Sequence, residues 1–119
     1  MTELPSSLPG IDVATGLTRV AGNKKLYLKL LRQVAGDAAS TQEKITAAIM
    51  AGDMVTVREV AHSLKGAAGN LAITDVAAAA EHLELAAKSE DFSTLFTHLD
   101  AMEQALQKYT SVVATLEGL

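Results

Sequence analysis

Apolar residues return every three or four positions along most of the chain, the spacing that lines one face of an α-helix. The pattern is clearest towards the C-terminal end. There Leu95, Leu99, Met102, Leu106, Tyr109, Val113 and Leu116 repeat over about six turns, behind Asp91, a residue type suited to N-capping. Before it, Val76, Ala80, Leu83 and Ala87 form a narrow stripe padded with alanine, which predicts close contact with another helix, and Thr74 is the expected cap. Gly52 and Asp53 read as a helix stop followed by a fresh N-cap, so a third helix is expected from Met54 to about Leu71. From Lys24, the spacing of Tyr27, Leu30, Leu31 and Val34 is helical. Gly36 with Asp37 predicts a break or kink, after which Ile45, Ala48 and Ile49 carry the stripe on to Ala51. A short helix capped by Asp12 would present Val13, Leu17 and Val20, ending at Gly22 and Asn23. Residues 1–10 read as a flexible leader. Amphipathic helices joined by short connections predict an all-α fold over residues 11–119: an antiparallel four-helix bundle with a short accessory N-terminal helix. Neither an internal repeat nor a low-complexity tract interrupts it.

Composition narrows the function. The 119 residues are 49% hydrophobic but only 3% aromatic, and both prolines, Pro5 and Pro9, precede the helical region, which excludes a proline-punctuated all-β fold. With no cysteine there is no disulfide framework, thiolate zinc site or cysteine nucleophile, and a reducing compartment is expected. A net charge of −4 and scattered basic residues argue against nucleic acid as a partner. No apolar run approaches the roughly 18 residues needed to span a bilayer, and MTELPSSLPG lacks the basic start and apolar stretch of a signal peptide. The expectation is a cytoplasmic domain without direct membrane contact.

The segment DMVTVREVAHSLKGAAGNL, residues 53–71, breaks a local rule. At about 100° per residue, with Val57 at zero, Val60, Ala61, Leu64, Ala68 and Leu71 fall within roughly 60° and define the buried side. His62 lies at about 140°, Gly66 at about 180° and Gly69 at about 120°, so the histidine faces outward with two glycines beside it. Each interior glycine costs a helix roughly 1 kcal/mol relative to alanine, and a compensating use is expected. Two missing side chains at i+4 and i+7 bare the backbone and let another protein approach the imidazole. Lys65, at i+3, is close enough to hold its ammonium beside anything attached to the ring. An imidazole nucleophile, a cation and cleared space are what a phosphoryl acceptor needs.

The run Ala61-His62-Ser63-Leu64-Lys65-Gly66-Ala67-Ala68-Gly69-Asn70-Leu71 resembles the signature of histidine-containing phosphotransfer (HPt) domains of bacterial phosphorelays. Gly10-Ile11-Asp12 through Gly16-Leu17, Tyr27 with Leu30-Leu31, and Ala51-Gly52-Asp53 match the same layout. The resemblance implies that His62 takes a phosphoryl group on Nε2 from a receiver-domain aspartate and passes it to another receiver. Lys65 would steady the phosphoryl oxygens, Gly66 would leave room for the receiver, and Glu84 would hydrogen-bond the other ring nitrogen, fixing the tautomer. Arg58, Glu59, Ser63, Gly69 and Lys88 are the further partner-binding candidates; Lys88, one turn beyond Glu84, either adds positive charge or makes an ordinary surface salt bridge. The implied partners are receiver domains of response regulators and of a hybrid sensor histidine kinase. The leader resembles the linker that precedes such domains at the C-terminal end of those kinases. A monomer with no bound cofactor is expected, magnesium belonging to the receiver. One departure is Ala72, where relatives carry glycine after the helix; alanine there weighs against a left-handed cap.

Three rival readings are weaker. Glu59-x-x-His62 suggests a carboxylate-bridged metal site, but a bundle site needs a second such pair and neither His82 nor His98 has an acid three residues earlier. His82 is expected on an exposed flank and His98 at the edge of a core stripe, both in structural roles. A non-phosphorylated adaptor that binds receiver or kinase domains fits the cleared face, though the presence of both His62 and Lys65 argues against it. An autonomous kinase lacks its glycine-rich phosphate loop.

Overall fold

A computed structural model describes residues 4–119. Its helices are α1 (Val13–Arg19), α2 (Lys24–Met50), α3 (Met54–Asn70), α4 (Thr74–Lys88) and α5 (Phe92–Ala114). Helix α3 packs between α2 and α4, and α5 closes the ring between α4 and α2, while α1 leans on α2. The result is the expected antiparallel four-helix bundle with an accessory helix, 49 Å along its long axis and 22 × 18 Å across. Tyr27, Leu31, Ile45, Leu83, Met102 and Leu106 are among its largest fully buried side chains. The two tyrosine hydroxyls reach backbone acceptors inside this core, Tyr27 donating to the Leu71 carbonyl and Tyr109 to that of Leu31, each at 2.7 Å. Gly16 is a packing necessity: a Cβ there would lie 2.6 Å from Cε1 of the Tyr27 ring.

Asp12, Asn23 and Asp53 cap α1, α2 and α3 by accepting from the backbone N–H three residues on. Four expectations are corrected. Helix α2 runs unbroken through Gly36 and Asp37, because Leu31, Ala38 and Ile45 stay on one buried face at steps of seven and packing outweighs the local glycine cost of about 1 kcal/mol. Ile73, not Thr74, is the N-cap of α4, and the Thr74 hydroxyl donates instead to the Gly10 carbonyl at 3.0 Å. The leader is docked, not loose, over its described part: Leu8 is buried, Leu4 packs on the core, and Gly10 accepts from the backbone of Asp75. Its first three residues lie outside the described ones.

The fourth correction concerns Ala72, which does adopt the left-handed conformation, with φ +57°. Ile73 N–H donates to Ala68 O at 2.8 Å and Ala72 N–H to Gly69 O at 3.1 Å, the paired bonds that close a helix around a left-handed residue. The strain, about 1–2 kcal/mol for a residue with a Cβ, is offset because Ala72 is buried and its carbonyl accepts from Asp12 N–H at 2.8 Å. That bond also fixes the accessory helix to the end of α3.

Candidate functional site

His62 stands at the midpoint of α3 on the side away from Val57, Ala61, Leu64 and Ala68, all of which are buried. Its side chain is 66% exposed. Helix α4, antiparallel and held close by its alanine stripe, brings Glu84 to the same level. Glu84 Oε2 lies 2.7 Å from His62 Nδ1, and Glu84 Oε1 lies 2.8 Å from Lys65 Nζ. The carboxylate is largely shielded, at 14% exposure, and its Oε1 meets the ammonium as an ion pair, not as an aligned hydrogen bond. The Lys65 ammonium foremost, and then the His62 ring N–H, hold the Glu84 carboxyl below the usual range against the opposing effect of burial. Glu84 in turn raises the Lys65 ammonium above its ordinary value.

These contacts determine the ring's chemistry. An ionised carboxylate can only accept, so Nδ1 must be the donor, and in the neutral imidazole Nε2 then carries the lone pair. One carboxylate thus orients the imidazole and holds the cation beside it. Glu84 was a sequence candidate through its expected bond to the ring, and that bond is present. The Lys65–Glu84 pair had no sequence signal, because i to i+3 spacing places Lys65 near His62 but says nothing about which α4 side chain lies opposite.

Gly66 and Gly69 extend a bare strip along α3 from His62. A Cβ at either would meet nothing within 4 Å, unlike one at Gly16. Neither helical glycine is therefore required by the protein's own packing, and the clearance faces outward. Arg58 is exposed one turn before His62 on the same side. Glu59 and Ser63 turn towards α2, where with Val34, Asp37, Thr41 and Lys44 they line a groove of about 410 Å³. Lys88 is exposed and forms no ion pair among the described residues, both Glu84 oxygens being taken by His62 and Lys65. No group of three metal-ligating side chains assembles among the described residues, at Glu59 and His62 or elsewhere. His82 is exposed and His98 half-buried, as expected, and their rings face each other across α4 and α5 with centroids 5.7 Å apart. Sequence reading missed Arg19, whose guanidinium donates to the Gly69 carbonyl from the last turn of α1. No helix among the described residues is long and apolar enough to cross a membrane.

A family model described as the Hpt domain matches residues 29–109, which include every residue of this site except Arg19. The crystal structure of histidine-containing phosphotransfer protein B (HptB) from Pseudomonas aeruginosa PAO1 shares the fold, with a TM-score of 0.82 at 23% identity over 92% of this chain and 96% of that one. No curated protein matches the chain. The chain belongs to the Hpt domain family, and its place is in phosphorelay signal transduction. Domains of this family work with receiver domains.

Proposed function

We propose that His62 is the phosphoryl acceptor and donor of this domain, taking the group from a receiver aspartyl phosphate and returning it to another receiver. The observation that carries the reading is the exposed imidazole whose Nδ1 is tied to an ionised carboxylate on a strip cleared by glycines that the fold does not need. Nε2 attacks phosphorus, the N–P bond forms as the P–O bond to the aspartate breaks, and the aspartate leaves as a carboxylate. The Nδ1 proton stays on the ring, whose developing positive charge is met by Glu84 2.7 Å away. Lys65, already beside the ring, supplies the cation for the phosphoryl oxygens. Transfer onward reverses these steps. The chain needs no nucleotide site and no metal of its own, the magnesium belonging to the receiver, and it works as a monomeric cytoplasmic carrier, either free or within a hybrid kinase.

The test is to mix the protein with a panel of phosphorylated receiver domains and follow labelled phosphate, with His62→Gln alongside. Acid-labile, alkali-stable label that requires His62 is the expected result. Receiver binding without transfer would overturn it in favour of an adaptor.

A further inference from the structure

The accessory helix delivers a cation to the bare strip. Arg19, exposed in the last turn of α1, donates to the carbonyl of Gly69, seven residues beyond His62. Seven residues are two turns, so the Gly69 backbone that this guanidinium contacts lies on the same side of α3 as the histidine, about 10 Å further along the axis. Arg58 lies one turn away in the other direction. The strip therefore reads guanidinium, imidazole, bare backbone, guanidinium.

The electrostatic setting makes this arrangement unusual. The chain carries a net charge of −4, and the donor in the proposed transfer, an aspartyl phosphate, is an anion. Lys65 is already paired with Glu84, and Glu59 and Glu81 add negative charge to nearby exposed surface. Arg19 makes no contact ion pair among the described residues; Asp12, the acid on its own helix side, bonds Thr15 with its carboxylate and feels the guanidinium only as a lesser, longer-range charge. Only one of the five guanidinium N–H donors is needed for the Gly69 carbonyl, and the side chain as a whole is exposed. A cation at the C-terminal end of α3 is also favoured there by the helix dipole, which holds it in place without neutralising it. Since a Cβ at Gly69 would meet nothing within 4 Å, Arg19 does not fill the clearance but marks its far end.

We infer that Arg19 is a docking residue for the phosphorylated receiver, supplied by the accessory helix from outside residues 29–109 that match the family model, and that with Arg58 it brackets His62 and attracts the anionic phosphoryl site of the partner. This rests on the phosphocarrier reading of His62. The separation of about 10 Å is comparable to the screening length of roughly 8–10 Å at 0.1–0.15 M salt, so both guanidinium groups act on the same approaching anion at low salt and lose that action at high salt. The effect belongs to the encounter and not to the transfer step.

The experiment measures transfer from a phosphorylated receiver to the full chain over a salt series, for wild type, Arg19→Gln, Arg19→Glu and Arg19→Lys, with a thermal melt of each. Gln removes the charge while keeping an N–H donor, and Lys keeps the charge while losing the fork. The second-order constant is expected to fall about threefold for Gln and about tenfold for Glu at low salt, to converge with wild type at high salt, and to recover mostly in Lys, while the rate within the saturated complex changes less than twofold. A purely structural cap of α3 would lower the melting temperature and leave the salt slope unchanged. That outcome, or an equal second-order constant in folded Arg19→Glu, overturns the inference while leaving the carrier reading intact. Failure of wild type to label at His62 overturns the carrier reading and this inference with it.

Discussion

Replacing both Gly66 and Gly69 by alanine should stabilise this protein while impairing its work. Alanine is favoured over glycine in a helix interior by about 1 kcal/mol per site, through the conformational entropy that glycine loses on folding. That gain is realised only where the added Cβ has room. At both positions it meets nothing within 4 Å, and neither residue has a positive φ. The double variant should therefore gain about 2 kcal/mol. For 119 residues the unfolding entropy near the midpoint is about 0.25 kcal/mol/K, from about 2.1 cal/mol/K per residue, so the midpoint should rise by about 8 °C. Far-UV circular dichroism melts and urea denaturation would measure both quantities. Phosphotransfer supplies the other half of the prediction: Gly66→Leu, which raises a branched side chain over the strip beside His62, should slow receiver transfer at least about tenfold, or about 1.4 kcal/mol of docking free energy. An unchanged or lowered midpoint in the double alanine variant would mean the glycines serve the protein's own packing. Undiminished transfer by Gly66→Leu would mean no partner uses the clearance.

The remaining predictions concern the glycine that packing does require and the carboxylate at the site. Gly16→Ala should destabilise by at least about 2 kcal/mol, because the Tyr27 ring it would strike is pinned by its hydroxyl to the Leu71 carbonyl and has nowhere to move; an effect under about 0.5 kcal/mol in urea denaturation would refute that packing argument. Glu84, held by Lys65 and His62 below its ordinary value of 4.5, contributes stability that is present above that pH and is lost as pH falls through the depressed folded value. The stability difference between wild type and Glu84→Gln should accordingly shrink on acidification from neutral pH through the region below 4.5. A difference independent of pH would show that the ion pair does not contribute.

Much of the bundle was legible because helical periodicity is a property of one segment. The stripe from Leu95 to Leu116 and the caps at Asp12 and Asp53 need only local spacing, and so does the angle that turns His62 away from Val57. Local signals misled where a tertiary contact outweighed them. Gly36 should weaken α2, yet the buried residues on either side keep the helix whole; Ala72 should avoid a left-handed turn, yet its burial and the bond from Asp12 hold it there. Thr74 has the right chemistry for a cap but is drawn to Gly10 by the docking of the leader, which no periodicity could reveal.

For the candidate site, the sequence by itself determined an outward histidine, a lysine within one turn, and a strip without side chains, since all three lie on one helix and a helix fixes the angles among its own residues. The resemblance to a known family added Glu84. Only the tertiary structure decided that Glu84 divides its oxygens between His62 and Lys65, and that Arg19 reaches across to the Gly69 carbonyl. Those contacts depend on how α3 is set against α4 and how α1 lies over the end of α3. That register comes from the interlocking of buried side chains on separate helices, a property of the assembled core that is not written in any one segment of the chain.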